Sequence, residues 1–127
     1  MSATLIESPG FEVRIDHKVQ GYPQIATAVD EINHYFREKY LASHHRLSVD
    51  WGIGSRRGEL DLQLTRWSKH EPSRSVQVRQ AIPMDDLTKP TLRDVWAIHV
   101  WGDLLEKESL LSNERLMKIL SQPDESE

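Results

Sequence analysis

Between residues 52 and 58 the chain carries Gly52, Gly54, Ser55, Arg56, Arg57 and Gly58. Glycine frees the backbone to turn its N–H groups toward an anion, a serine hydroxyl donates, and guanidinium forks grip phosphate or carboxylate. Ser55, Arg56 and Arg57 are therefore an anion-binding candidate, for a phosphate ligand or nucleic-acid phosphates. The glycine spacing misses the dinucleotide fingerprint by one residue, and alternating segments on both sides place the loop between two strands. Such fingerprints join a strand to a helix. A hairpin tip accounts for the same composition: glycine permits the turn and arginine stays in water.

Other chemistry-bearing residues form weaker constellations. His44 and His45 are adjacent, and neighbouring side chains on an extended segment diverge. There is no His-x-x-x-His pair and no cysteine, so neither a metal site nor a cofactor is expected, and thiol catalysis is excluded. Ser55, Ser68, Ser73 and Ser75 lie within reach of His70 in sequence, but no Gly-x-Ser-x-Gly elbow is present. Asp50 and Asp61 face each other across a hairpin on an open surface, where acid–base carboxylates lack a cleft. His99 sits in the apolar run Val95–Trp101. It suits a core histidine with one backbone partner, or the base of a small enzyme with its site between that run and a sheet.

Large apolar residues are in excess toward the C-terminus. Trp96, Trp101, Leu104 and Leu105 are followed by Leu110, Leu111, Leu116, Met117, Ile119 and Leu120. Each gains about 1.5–3 kcal/mol on burial, so several left in water need a cover. The cover is either a second C-terminal helix or a partner. Trp101, Leu105, Leu111 and Leu116 are the expected contact residues, for another protein or a second copy in a dimer. Charge is uneven as well. Residues 44–80 hold seven Arg plus Lys against four Asp plus Glu, and residues 101–127 hold three against seven. Such asymmetry steers complementary surfaces together. The expected function is a non-catalytic protein-interaction or assembly module that self-associates through its C-terminal helices. The alternatives are anion or nucleic-acid binding through Gly52–Gly58, and a small enzyme near His99.

The elements that must position these residues follow from periodicity. Phe11, Val13 and Ile15 alternate with Glu12, Arg14 and Asp16, which marks a half-buried strand. Ile25, Val29, Ile32 and Phe36 recur at helical spacing over roughly 23–42, after Pro23. Three alternating segments follow, around Leu47–Trp51, Leu60–Leu64 and Val76–Ile82. Their linkers have hairpin composition. Thr88, Pro90 and Thr91 precede a helical pattern through Leu105, although Val95–Trp101 also has the β-branched and aromatic content of a buried strand. Ser112 offers a cap for a last helix, Asn113–Ser121. The reading is an α+β domain with order β-α-β-β-β-α-α: a four-stranded, mostly antiparallel sheet with helices packed on one face. Strand 1 reaches the sheet through a helix, a connection that allows parallel pairing and a mixed sheet.

The 127 residues allow one domain, set at 11–121, with 1–10 a flexible N-terminal segment and 122–127 an acidic tail. Sixteen basic against twenty acidic residues give a net charge of −4, which excludes a nucleic-acid coat protein. The predicted polar sheet face carries acids and bases together with no row of aromatics, so it offers RNA no stacking platform. No apolar run reaches spanning length, and the start of the chain lacks a signal-peptide pattern; a cytoplasmic protein away from membranes is expected.

Overall fold

The computed structural model describes residues 2–8, 10–69 and 73–121. Five strands form one sheet in sequence order: β1 (Ser2–Ser8), β2 (Phe11–Asp16), β3 (Leu47–Ile53), β4 (Glu59–Trp67) and β5 (Ser75–Pro83). β2 and β3 are parallel and all other neighbours antiparallel. The parallel pair follows from its connection, because α1 (His17–Gln20), a 3-10 turn (Pro23–Ile25) and α2 (Ala26–Ser43) return the chain to the start of the sheet. After β5 come the short α3 (Met84–Leu87) and the long α4 (Pro90–Ser121). The α+β class, the element order and the four strands expected from alternation are all present.

Two features differ from the sequence reading. A fifth strand, β1, pairs with β2, so the stretch 1–10 is not a wholly free segment. Backbone pairing at an edge requires no buried side-chain pattern to announce it. Val95–Trp101 is helical, as the helical pattern through Leu105 indicates, but α4 runs without a break through Ser112 to Ser121. A serine caps a helix only where the preceding residues leave helical geometry, and nothing between Leu105 and Ser112 forces that. The acidic tail 122–127 and His70 lie outside the described residues.

The core lies between the sheet and the helices. Phe11 and Val13 of β2, Leu47, Val49 and Trp51 of β3, and Leu60, Leu62 and Leu64 of β4 are buried. α2 lays Ala28, Val29, Ile32 and Phe36 onto them, and α4 contributes Ala97, Val100, Trp101 and Leu104. The Trp51 indole N–H donates to Asn33 Oδ1 at 2.7 Å, which satisfies a buried donor between β3 and α2. The opposite sheet face is polar. Arg14 is paired with Glu12 and with Asp50, the latter at 3.2 Å, and Arg79 with Asp61 at 2.8 Å. Arg46 stacks 4.0 Å above the Trp67 ring. These surface pairs, within β2 and between strands, each contribute little, about 0.2–1 kcal/mol.

Candidate interaction surface

The hairpin joining β3 and β4 carries Ser55, Arg56 and Arg57 at its exposed tip. Its glycines serve the turn. A side chain on Gly54 would strike the Glu59 carbonyl oxygen at 2.8 Å, and Gly58 holds φ +81°, a left-handed value that favours glycine. Gly54 N–H donates to the Glu59 carbonyl and Glu59 N–H to that of Arg56. These N–H groups close the loop on itself rather than turning outward around an anion.

His99 does not face the sheet. The helical period of α4 directs Ala97, Val100, Trp101 and Leu104 inward, which leaves His99 on the surface beside Asp103, 3.3 Å away, and against the edge of Trp96. A cleft between Val95–Trp101 and the sheet, needed for His99 to act as a base, is filled by those core residues. Among the described residues no group of three or more His, Asp or Glu is placed to hold a metal ion.

The four expected contact residues separate. Trp101 belongs to the core: it is 8 % exposed, with its ring 6.3 Å from Phe36 and the Arg66 guanidinium 5.2 Å from its centroid. It is corrected from contact residue to core residue, because it shares the inward stripe with Ala97 and Leu104. Leu105, Leu111 and Leu116 are exposed, at 42 %, 46 % and 53 %. They are not alone. Leu110, Met117, Ile119 and Leu120 are exposed too. From Leu105 to Ser121 only Glu108 is half-buried, so α4 continues past its last core contact, Leu104, for about 25 Å at 1.5 Å per residue.

Val95 and Ile98 are further exposed apolar residues, on the sheet-bound half of α4. Sequence reasoning missed them because apolar residues on every side of the helix there, broken only by His99, hid which of them point outward. Settling helix over strand at Val95–Trp101 exposes them at once, since Ala97, Val100 and Trp101 then claim the inner face.

Where α4 leaves the sheet, a groove of about 620 Å³ opens against the ends of β4 and β5. Arg66, Arg74, Arg115 and His45 line it, with Glu108 and Leu111. Arg66 donates to Glu108 Oε1 at 2.8 Å, and its side chain is almost wholly buried. Burial raises the Glu108 carboxyl above its ordinary value, while the Arg66 charge and hydrogen bond pull it back down. The signal for this groove is the broken alternation of β4. After Leu60, Leu62 and Leu64 the next inward position is Arg66, a charge that needs a partner. No helix among the described residues is long and apolar enough to cross a membrane. Compared with known proteins, the chain matches no family model, no curated protein and no solved structure.

Proposed function

We propose that this domain works by binding protein partners through the outer surface of α4, a second copy of itself among them, and that it is not an enzyme. One observation carries the reading: the run of exposed leucine, isoleucine and methionine from Leu105 to Leu120 on a helix that has already left its own core. Large apolar groups covered on binding contribute about 1.5–3 kcal/mol each, and helices of this kind bind by presenting such a face to a groove or another helix. The uneven charge of the chain supports the same reading. Light scattering over a concentration series, beside retention of partners from the native cell by immobilised protein, tests it. Unmodified protein should self-associate or retain a partner that Leu116→Asp loses. A strictly monomeric protein that retains nothing would remove the proposal.

A second reading, binding of an anionic ligand, moves from the hairpin to the groove, which among the described residues is lined by Arg66, Arg74, Arg115 and Glu108. Replacing Arg74 and Arg115 by alanine should then weaken binding of a labelled oligonucleotide or polyphosphate and flatten its salt dependence. An unchanged salt slope would dispose of it.

A further inference from the structure

We infer that the partner of α4 is the same helix of a second copy, packed antiparallel along one seam; this rests on α4 being the binding element. From its start on the sheet, α4 places Val95, Ile98, Gly102 and Leu105 at steps of three, four and three. Ser109, Ser112, Leu116 and Ile119 continue the alternation without a slip. That spacing is the a/d repeat of a two-stranded coiled coil. Every position on it is exposed. Over the sheet-bound half of α4 the seam points away from the body, and farther along Ser112 reaches the rim of the groove against β4 and β5. Lys107, on the opposite side of the helix, donates its Nζ to the Gln77 carbonyl of β5 at 2.7 Å, and Val100, one heptad earlier, is buried.

Gly102 adds an independent sign. A side chain built there meets nothing within 4 Å. Glycine inside a helix costs roughly 0.5–1 kcal/mol relative to alanine. Within one subunit no neighbour requires that cost, whereas a second helix crossing at this level does.

The seam matches its own reverse. Turning one helix over about Lys107 sets Val95 opposite Ile119, Ile98 opposite Leu116, Gly102 opposite Ser112 and Leu105 opposite Ser109. Each layer then joins an a position to a d position. Large residues meet at both ends, and at the centre each leucine fills the space over a serine. A parallel pair would instead stack Gly102, Ser109 and Ser112 each on its own copy, three under-filled layers against the two Gly102–Ser112 layers of the antiparallel pair, and each such layer costs stability as a cavity does. Charge selects the same direction. Residues 94–105 carry Asp94 and Asp103 with no Lys or Arg, a sum of −2, and residues 109–120 carry Glu114 against Arg115 and Lys118, a sum of +1. Antiparallel packing lays −2 beside +1; parallel packing lays −2 beside −2. The helix dipoles also oppose one another. Each projecting half covers Val95 and Ile98 of the other copy, and the contact closes at two subunits.

The chain has no cysteine, so introduced cysteines report the pairing. Full-length Ile98→Cys and Leu116→Cys proteins are oxidised separately and as an equal mixture, beside light scattering of the unmodified chain. The expected result is a dimer, with a disulfide-linked species in the mixture and none from either variant alone. Gly102→Glu meets open space in one subunit but buries two unpaired carboxylates in the dimer seam, and weakens dimerisation about tenfold or more while the subunit still folds. Cross-linking of Ile98→Cys alone means parallel pairing and overturns the inference. A dimer that cross-links in neither case places the contact elsewhere and overturns it too, leaving α4 as a binder of other proteins. A protein that is monomeric at every concentration also overturns it, and retention of a partner sensitive to Leu116→Asp then decides the broader reading separately.

Discussion

The Arg66 guanidinium and the Glu108 carboxylate meet at 2.8 Å between β4 and α4, and every residue of α4 beyond this pair is exposed. The pair thus stands at the boundary between the half of the helix that builds the core and the half that projects. It is also expensive to keep charged. Glu108 is partly withdrawn from water, and that desolvation outweighs the attraction of Arg66 in setting its proton affinity.

The first prediction follows from that balance. The folded Glu108 carboxyl binds its proton more tightly than the ordinary value of 4.5 in the unfolded chain. Its contribution to stability is therefore fully present below that value and is lost as pH rises through the raised folded pKa. Glu108→Gln keeps the shape and stays neutral, so it escapes the loss. Urea midpoints of the two proteins should lie closest in acid, and the glutamine variant should gain on the unmodified chain toward neutral pH. A gain by the unmodified chain instead would mean that the ion pair outweighs desolvation.

Asn33 presents a different buried polar contact. Its Oδ1 accepts the Trp51 indole N–H at 2.7 Å in the interior. Asn33→Ala leaves that donor unpaired and should cost about 1–3 kcal/mol of stability. Trp51→Phe in the same background removes the orphaned donor. A double-mutant cycle by urea unfolding should then show coupling between the two changes. Strictly additive effects would show that the hydrogen bond contributes nothing.

Much of this arrangement was legible in residue order, for identifiable reasons. Alternation at Phe11–Asp16, Leu47–Trp51 and Leu60–Leu64 fixed which strand faces are buried, because side chains in a strand alternate faces regardless of what lies beyond. The helical stripe Ile25, Val29, Ile32 and Phe36 did the same for α2. The run Val95–Trp101 is apolar all round the helix except at His99, so it could not show that Trp101 turns inward while Val95 and Ile98 turn outward. Leucine excess after Leu104 signalled unburied surface. Whether a second helix folded back to hide it depended on the chain at Ser112, and a lone serine leaves both outcomes open. The groove around Arg66 depends on the meeting of distant segments, β4 and α4, of which the local sign is a charge at an inward position, whereas β1 pairs with its sequence neighbour β2 although the adjacent Leu5 and Ile6 break the alternation that marks a strand.

The hairpin yields a negative expectation. Arg56 and Arg57 are exposed at a turn whose Gly54 and Glu59 N–H groups bond within the loop itself. Replacing both arginines by alanine should change stability by no more than about 0.5 kcal/mol, as surface substitutions usually do. It should also leave phosphate and oligonucleotide binding unaltered. A clear loss of affinity with a flatter salt dependence would return the hairpin to the list of sites.

The last prediction separates folding from assembly along one helix. Trp101 is packed beside Phe36 and beneath Arg66, so Trp101→Ala opens a cavity and should cost about 3–5 kcal/mol. Leu116 touches no core in its own subunit, and Leu116→Ala removes no buried contact there. Measured at a concentration where subunits are separate, its unfolding midpoint should match that of the unmodified chain within about 0.5 kcal/mol. At high concentration the order reverses in meaning. The Leu116 variant should lose the concentration dependence of its melting temperature, because stabilisation by association grows with the concentration of the binding partner. The Trp101 variant, if still folded, should keep that dependence from a lower starting point. Equal loss of intrinsic stability in both variants would place Leu116 inside the fold, and the division of α4 into a core half and a contact half would fail.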